Sequence, residues 1–118
     1  MKDKEIKVWK ENFAIVKSNQ FDKEAFANIK DKSELTLIIN ESKLRKKNFI
    51  KINKGWKLIT INIIFNFNAI GILSKISSAL AKEGISIMAI SSYSRDHILV
   101  KKDKLNDAIK VLKKINLK

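Results

Sequence analysis

Residues Trp56 to Gly84 read WKLITINIIFNFNAIGILSKISSALAKEG, and this stretch decides the fold. Its first part alternates. Ile59, Ile61, Ile63 and Phe65 fall on one face, and Leu58, Thr60, Asn62 and Ile64 on the other. A period of two marks a strand. Apolar groups on both faces place that strand, Trp56–Phe65, in the middle of a sheet. Asn66-Phe67-Asn68 breaks the alternation. From Ala69 to Glu83 the period changes. Ile72, Leu73, Ile76, Ala79 and Leu80 recur at helical spacing, while Lys75, Ser78 and Lys82 take the other side. Asn68 is placed to cap this helix at its start. Gly84 stands where a left-handed residue is wanted just past its end.

Downstream, Ile85–Tyr93 returns to a strand, Ser94-Arg95-Asp96 reads as a turn, and His97–Lys101 as the return strand of a hairpin. Lys102–Lys118 reads as a second amphipathic helix, with Leu105, Ile109 and Leu112 on one face and Asp103 as its cap. Its Lys-rich last turn suits the helix dipole. The order β-α-β-β-α puts two helices on one face of an antiparallel sheet. Right-handed crossovers leave few other topologies. The expected fold is α+β, a ferredoxin-like βαββα(β) sandwich whose fourth strand the chain must find elsewhere. The N-terminal half could supply it, for example Phe13–Val16, or a second copy could.

Upstream, Asn12–Lys17, Ala25–Ile29 and Leu35–Ile39 read as short strands, the last two joined by the polar turn Asp31-Lys32-Ser33-Glu34. Glu41–Lys47 reads as a helical turn capped by Asn40 or Ser42. The polar run Lys51-Ile52-Asn53-Lys54-Gly55 reads as the seam between two parts, 1–54 and 55–118.

The chain has 118 residues, 45% of them hydrophobic, enough for a true interior. It contains no cysteine, which excludes disulfides, thiolate metal sites and cysteine nucleophiles. Met1-Lys2-Asp3-Lys4-Glu5 is charged and leads into no leader-type apolar run, and the stretch Leu58–Phe65 is too short to span a bilayer. A cytoplasmic protein with no membrane partner is expected. The net charge of +13 invites a nucleic-acid reading. Yet among 25 basic residues only Arg45 and Arg95 are arginine, the type that grips phosphates and guanine bidentately. The charge is also even, +6 over residues 1–54 and +7 over 55–118. It reads as a solvated Lys-rich surface.

The stretch from Asn66 through Gly71 to Ile76 resembles the strand-to-helix junction of ACT domains. Gly84–Tyr93 is similar to their second strand and Asp96–Lys101 to their third. The chain as a whole resembles small bacterial ACT proteins related to the regulatory halves of aspartate kinases and to cytosolic arginine sensors. The resemblance is strongest over Trp56–Leu112 and collinear over Phe13–Ser42. It implies a degenerate, β-rich ACT-like lobe over 1–54 and an ACT domain over 55–118. It further implies a non-catalytic sensor that binds an amino acid at the seam between ACT units, near the start of the first helix. Residue by residue it points to Asn66, Asn68, Ile70 and Gly71 at the junction, and to Ser91, Ser92 and Ser94 at the end of the second strand. Relatives often carry an acid at the positions of Asn66 and Ser94, where it would hold an α-ammonium group, and Ser or Thr at those of Asn68 and Ile70.

The chemistry of these residues agrees with that expectation. A helix start offers backbone N–H groups and a partial positive charge to a carboxylate. Gly71 would let a ligand approach the backbone, or else let helix and sheet pack closely. Ser91 and Ser92 line a pocket or reduce bulk. His97, the only histidine, reads as a surface or half-buried side chain, with no second His or Cys to share a metal. Ser94, Asp96 and His97 are sequence neighbours, whereas catalytic triads are assembled in space. No enzyme activity and no cofactor is expected, since phosphate-binding glycine motifs are absent too. Two alternatives stand beside the sensor. One is a basic RNA-binding module, because the RRM shares the β-α-β-β-α order. The other is a ligand-free dimerisation module, a homodimer joined through sheet edges.

Overall fold

A computed structural model describes residues 1–44, 49–63 and 70–116. In chain order the elements are β1 (Ile6–Val8), β2 (Phe13–Ser18), β3 (Ala27–Lys30), β4 (Leu35–Asn40), β5 (Phe49–Ile61), α1 (Ile72–Lys82), β6 (Ile87–Ser91), β7 (Asp96–Lys101) and α2 (Leu105–Lys114). Short 3-10 turns precede β1, follow β4 and precede α2. The hydrogen-bonding order of the strands is β3-β4-β2-β5-β7-β6, with β1 also paired to β5. The α+β, ferredoxin-like expectation holds.

The chain forms two compact units, residues 10–56 and residues 1–9 with 57–118. In the second unit, β5 supplies Ile59 and Ile61 to a core shared with Ile98 and Val100 of β7, Ile76 and Leu80 of α1, and Ala108 and Leu112 of α2. All eight are fully buried. The opposite faces of the same strands carry Leu58 and Thr60 on β5 and His97 and Leu99 on β7, also buried. Both strands are therefore two-faced, as the alternation of β5 implies. The missing fourth strand is β1, from the chain's own start. It pairs antiparallel to β5, with Ile6 opposite Ile61 and Val8 opposite Ile59. The Phe13–Val16 segment does not supply it; those residues belong to β2 in the other unit.

Helix α1 ends as its sequence dictates. Gly84 adopts φ +70°, its N–H donates to the Ala81 carbonyl, and the Ile85 N–H donates to that of Leu80. This is the Schellman closure, and it turns Ile85 inward onto Ile76 and Leu80. The head of the helix is later than expected. Gly71 occupies the cap position, with φ +79° and its carbonyl accepting the Lys75 N–H. The Asn68 cap, the end of the strand at Ile64–Phe65 and the end of the Glu41–Lys47 turn lie outside the described residues. Asp103 does not cap α2. The 3-10 turn Lys102–Lys104 intervenes, and Lys104 holds the cap position without a side-chain bond.

The unit over residues 10–56 has the strand order β3-β4-β2-β5, using the first half of β5. Counted from its first strand, that is second-third-first-fourth. The other unit reads β6-β7-β5-β1, the same order with β5 as first strand and β1 as fourth. Here α1 and α2 fill the two crossovers. The corresponding segments between β2 and β3 and between β4 and β5 hold no described α-helix. Ala14, Val16, Leu37 and Ile39 form this unit's buried core. Asp31 makes the β3–β4 turn, its carboxylate accepting the N–H groups of Ser33 and Glu34. The polar run Lys51–Gly55 is not a connection. It lies within β5, and the register against β2 gains a residue between Asn53 and Trp56. Gly55, at φ +87°, makes this bulge, and its N–H donates to Glu41 Oε2 at 2.8 Å. The glycine at the expected seam is a kink in a continuous strand, which passes from one unit to the other just beyond it, at Trp56–Lys57.

Candidate functional site

Strand β6 turns into β7 through Ser92–Arg95, with the Ser92 N–H donating to the Arg95 carbonyl at 2.9 Å. At the base of the turn Ser91 Oγ donates to Asp96 Oδ1 at 2.6 Å. Arg95 fastens the turn to the end of β5, its Nε–H donating to Asn62 Oδ1 at 3.1 Å. The Asn62 N–H in turn donates to the Glu5 carbonyl just before β1. Three segments therefore meet at the C-terminal end of β5.

Below the turn lies a polar chain inside the unit. Trp9 Nε1–H donates to Thr60 Oγ1 at 2.9 Å. Thr60 Oγ1 lies 2.9 Å from His97 Nδ1, and His97 Nε2 lies 3.0 Å from Ser92 Oγ. Ser92 Oγ donates to the Arg95 carbonyl at 3.2 Å. His97 is 7% exposed, not the surface or half-buried side chain that its solitary position suggests. Burial lowers its pKa from the ordinary 6.5; Asp96 raises it and Arg95 lowers it further. A polar side chain in a two-faced strand must find partners, and His97 finds hydroxyls on both sides. With its ring nitrogens directed to Thr60 and Ser92, and Asp96 bound to Ser91, the Ser94–His97–Asp96 grouping is not assembled.

The candidate residues fall in three places. Ser91 and Ser92 join the network, and Ser94 lies half-buried in the turn between them and Arg95. Ile70 and Gly71 form the head of α1. Ile70 is 93% exposed, and nothing stands within 4 Å of the place a Gly71 side chain would occupy. Gly71 is thus glycine for its backbone angle and not for close packing of helix on sheet. Asn66 and Asn68 lie outside the described residues. Sequence reasoning missed Asn62, Thr60, Trp9 and Arg95. A signal existed for two of them, because Asn62 and Thr60 interrupt an apolar strand. Among the described residues no cluster of His, Cys, Asp or Glu could hold a metal, and no helix is long and apolar enough to cross a membrane. A separate concavity of about 520 Å³ runs between α1 and α2, lined by Ala79, Lys82, Asp107, Lys110, Val111 and Lys114 among others. It contains none of the candidate residues.

A family model described as the ACT domain matches residues 51–114. Among solved structures, a protein from Agobacterium tumefaciens matches with TM-score 0.78 at 21% identity, over 92% of this chain and 85% of that one. The ligand-free regulatory subunit of aspartate kinase from Thermus thermophilus gives 0.67 at 10% identity, over 92% and 93%. Aspartate kinase from Clostridium acetobutylicum gives 0.70 at 16% identity, over 91% of this chain and 33% of the enzyme. Comparison with curated proteins gives no match.

Proposed function

Because this chain belongs to the ACT-domain family, we propose that it is a non-catalytic regulatory module that binds an amino acid where α1 begins and β6 turns into β7. The observation that carries this reading is the Arg95–Asn62 hydrogen bond. It holds the serine-bearing turn at the end of β5, the strand that leads on toward the head of α1. The first N–H groups of a helix lack intrahelical partners, and among the described residues no side chain caps α1. They suit the ligand carboxylate, with the Arg95 guanidinium as a second anion-reading donor and the Ser91–Ser94 hydroxyls for its polar groups. Asn66 and Asn68 complete the proposed set. The likeness to a regulatory subunit of aspartate kinase supports regulation over catalysis. The repeated strand order supports reading the two units, 10–56 and 1–9 with 57–118, as a degenerate ACT-like lobe and an ACT domain. Binding acts by favouring one state of the protein over another, since a ligand shifts only an equilibrium whose states it binds unequally.

The test is a thermal-shift screen against the twenty amino acids, followed by calorimetry on any that stabilise. A ligand at about 100 times its Kd adds about 2.7 kcal/mol. Arg95→Ala is expected to weaken binding by about tenfold or more, since hydrogen bonds to charged groups contribute about 1.5–3 kcal/mol. Gly71→Asp, which sets a carboxylate at the helix head, is expected to abolish it. Full affinity in both variants would move the site elsewhere. Silence across the panel together with tight self-association would favour the dimerisation module.

A further inference from the structure

The Trp9–Thr60–His97–Ser92 chain has a direction. Ser92 donates its hydroxyl hydrogen to the Arg95 carbonyl, so its oxygen accepts from His97 Nε2–H. His97 Nδ1 must then accept, and Thr60 supplies the hydrogen while its oxygen accepts the Trp9 indole N–H. Only the Nε2–H tautomer of a neutral imidazole satisfies all four contacts at once. A proton added at Nδ1 reverses that contact, so the imidazolium and the indole must share the two lone pairs of the Thr60 oxygen. The Thr60 hydroxyl hydrogen loses Nδ1 as its acceptor and must turn away, in a residue only 5% exposed.

We propose that these four residues form a proton-operated latch, closed while His97 is neutral and opened on its Thr60–Trp9 side by one added proton. The bond to Ser92 survives protonation, because Nε2 donates in both states. What loosens is the hold on the Trp9 indole; the Trp9 backbone N–H donates to the Leu58 carbonyl, and the residue follows β1 directly. Acid therefore weakens the docking of the fourth strand beside the turn that carries the candidate serines. As a control on ligand binding the latch rests on the function proposed above; as a device in the fold it does not.

The surroundings favour the neutral ring. His97 lies on the sheet face opposite Ile98 and Val100, which pack among α1 and α2, so the helices do not face it. Its cross-strand neighbour on β6 is Ile90. Asp96 and Arg95 flank it on its own strand and turn, with Asp96 engaged by Ser91 and Arg95 by Asn62. On β5 it meets Thr60. From β1, Lys7 Nζ lies 4.1 Å from the Trp9 ring centroid and adds a cation to that side. Burial outweighs the Asp96 carboxylate, so the ring protonates below the ordinary 6.5.

The full chain, ¹⁵N-labelled, tests this by NMR between about pH 8 and about pH 5, the range a histidine can cover. The imidazole nitrogens are expected to show the Nε2–H tautomer at the alkaline end and a midpoint below 6.5. The Trp9 indole N–H, identified by Trp9→Phe, is expected to lose solvent-exchange protection by about tenfold or more with the same midpoint, as local opening does. Thr60→Val is expected to abolish that dependence, and so is His97→Gln, which cannot be protonated. The Nδ1–H tautomer at pH 8, or a Trp9 signal indifferent to the His97 titration, would overturn the latch. If the latch titrates and no amino acid binds, the ligand reading fails and the latch stands.

Discussion

Thr60 and His97 are polar residues in strands buried on both faces, and each meets part of the other's need for a hydrogen-bond partner. Thr60→Val keeps the volume and removes the hydroxyl, leaving Trp9 Nε1–H and His97 Nδ1 without that partner. A loss of about 1–3 kcal/mol in urea unfolding is expected. A change below about 0.5 kcal/mol would mean that water or other groups substitute for it. His97 adds a pH dependence. Its folded pKa is depressed, so the unfolded chain binds the proton more readily. The stability it confers is full above about pH 6.5 and declines as pH falls from there toward the lower folded value. Urea midpoints at pH 7.5 and 5.5 should differ in wild type and converge in His97→Gln. At this scale the sequence was readable where structure is local. Gly84 announces its left-handed angle from the helix that precedes it, and Gly84→Ala is expected to cost about 1 kcal/mol. Thr60 announces only that it needs a partner. That partner's chain ends in Trp9, 51 residues away, and no local pattern points there.

Periodicity made the long elements legible. Helix α1 and the C-terminal half of β5 follow from their spacing because packing demands and local propensity agree there. Strand β1 was invisible for the opposite reason. Three residues, Ile6-Lys7-Val8, give too little alternation to register, and β1 exists because the edge of β5 would otherwise stand open. Gly55 carries two meanings at once, a bulge within β5 and a place beside the passage from one unit to the other at Trp56–Lys57. Ile6 and Val8 pack against the core of α1 and α2 while remaining partly exposed. Replacing both with alanine is expected to cost about 2 kcal/mol, less than two full core truncations. Hydrogen exchange should speed first at the Asn62 amide, which donates to Glu5. Uniform speeding across both units would instead show that β1 is no separate element of stability.

Over the whole molecule the repeated strand order was the least legible feature, because it depends on pairings such as Ile6 with Ile61 that no local window contains. Part of the candidate site shares that limit. The serines were found by resemblance, whereas Arg95 and Asn62 emerge only when the turn meets β5. Charge is the property the sequence states outright. The chain carries 25 basic and 12 acidic residues, net +13. Two ion pairs among the described residues, Lys17–Glu34 at 4.0 Å and Lys113–Asp3 at 3.0 Å, have exposed side chains, and such pairs contribute about 0–1 kcal/mol. With 12 acids for 25 bases, excess lysines repel one another however the acids pair, and folding concentrates that charge. Salt screens both, and the Debye length falls from about 30 Å at 0.01 M to about 8 Å at 0.15 M. Because the surplus is spread over the chain, its repulsion acts over distances longer than the ion pairs and is screened first. The melting temperature in sodium chloride is thus expected to rise across that interval, by a few degrees for about 1 kcal/mol of relieved repulsion. A fall would show that the surface pairs dominate and that the lysines are better neutralised in the folded state than these contacts indicate.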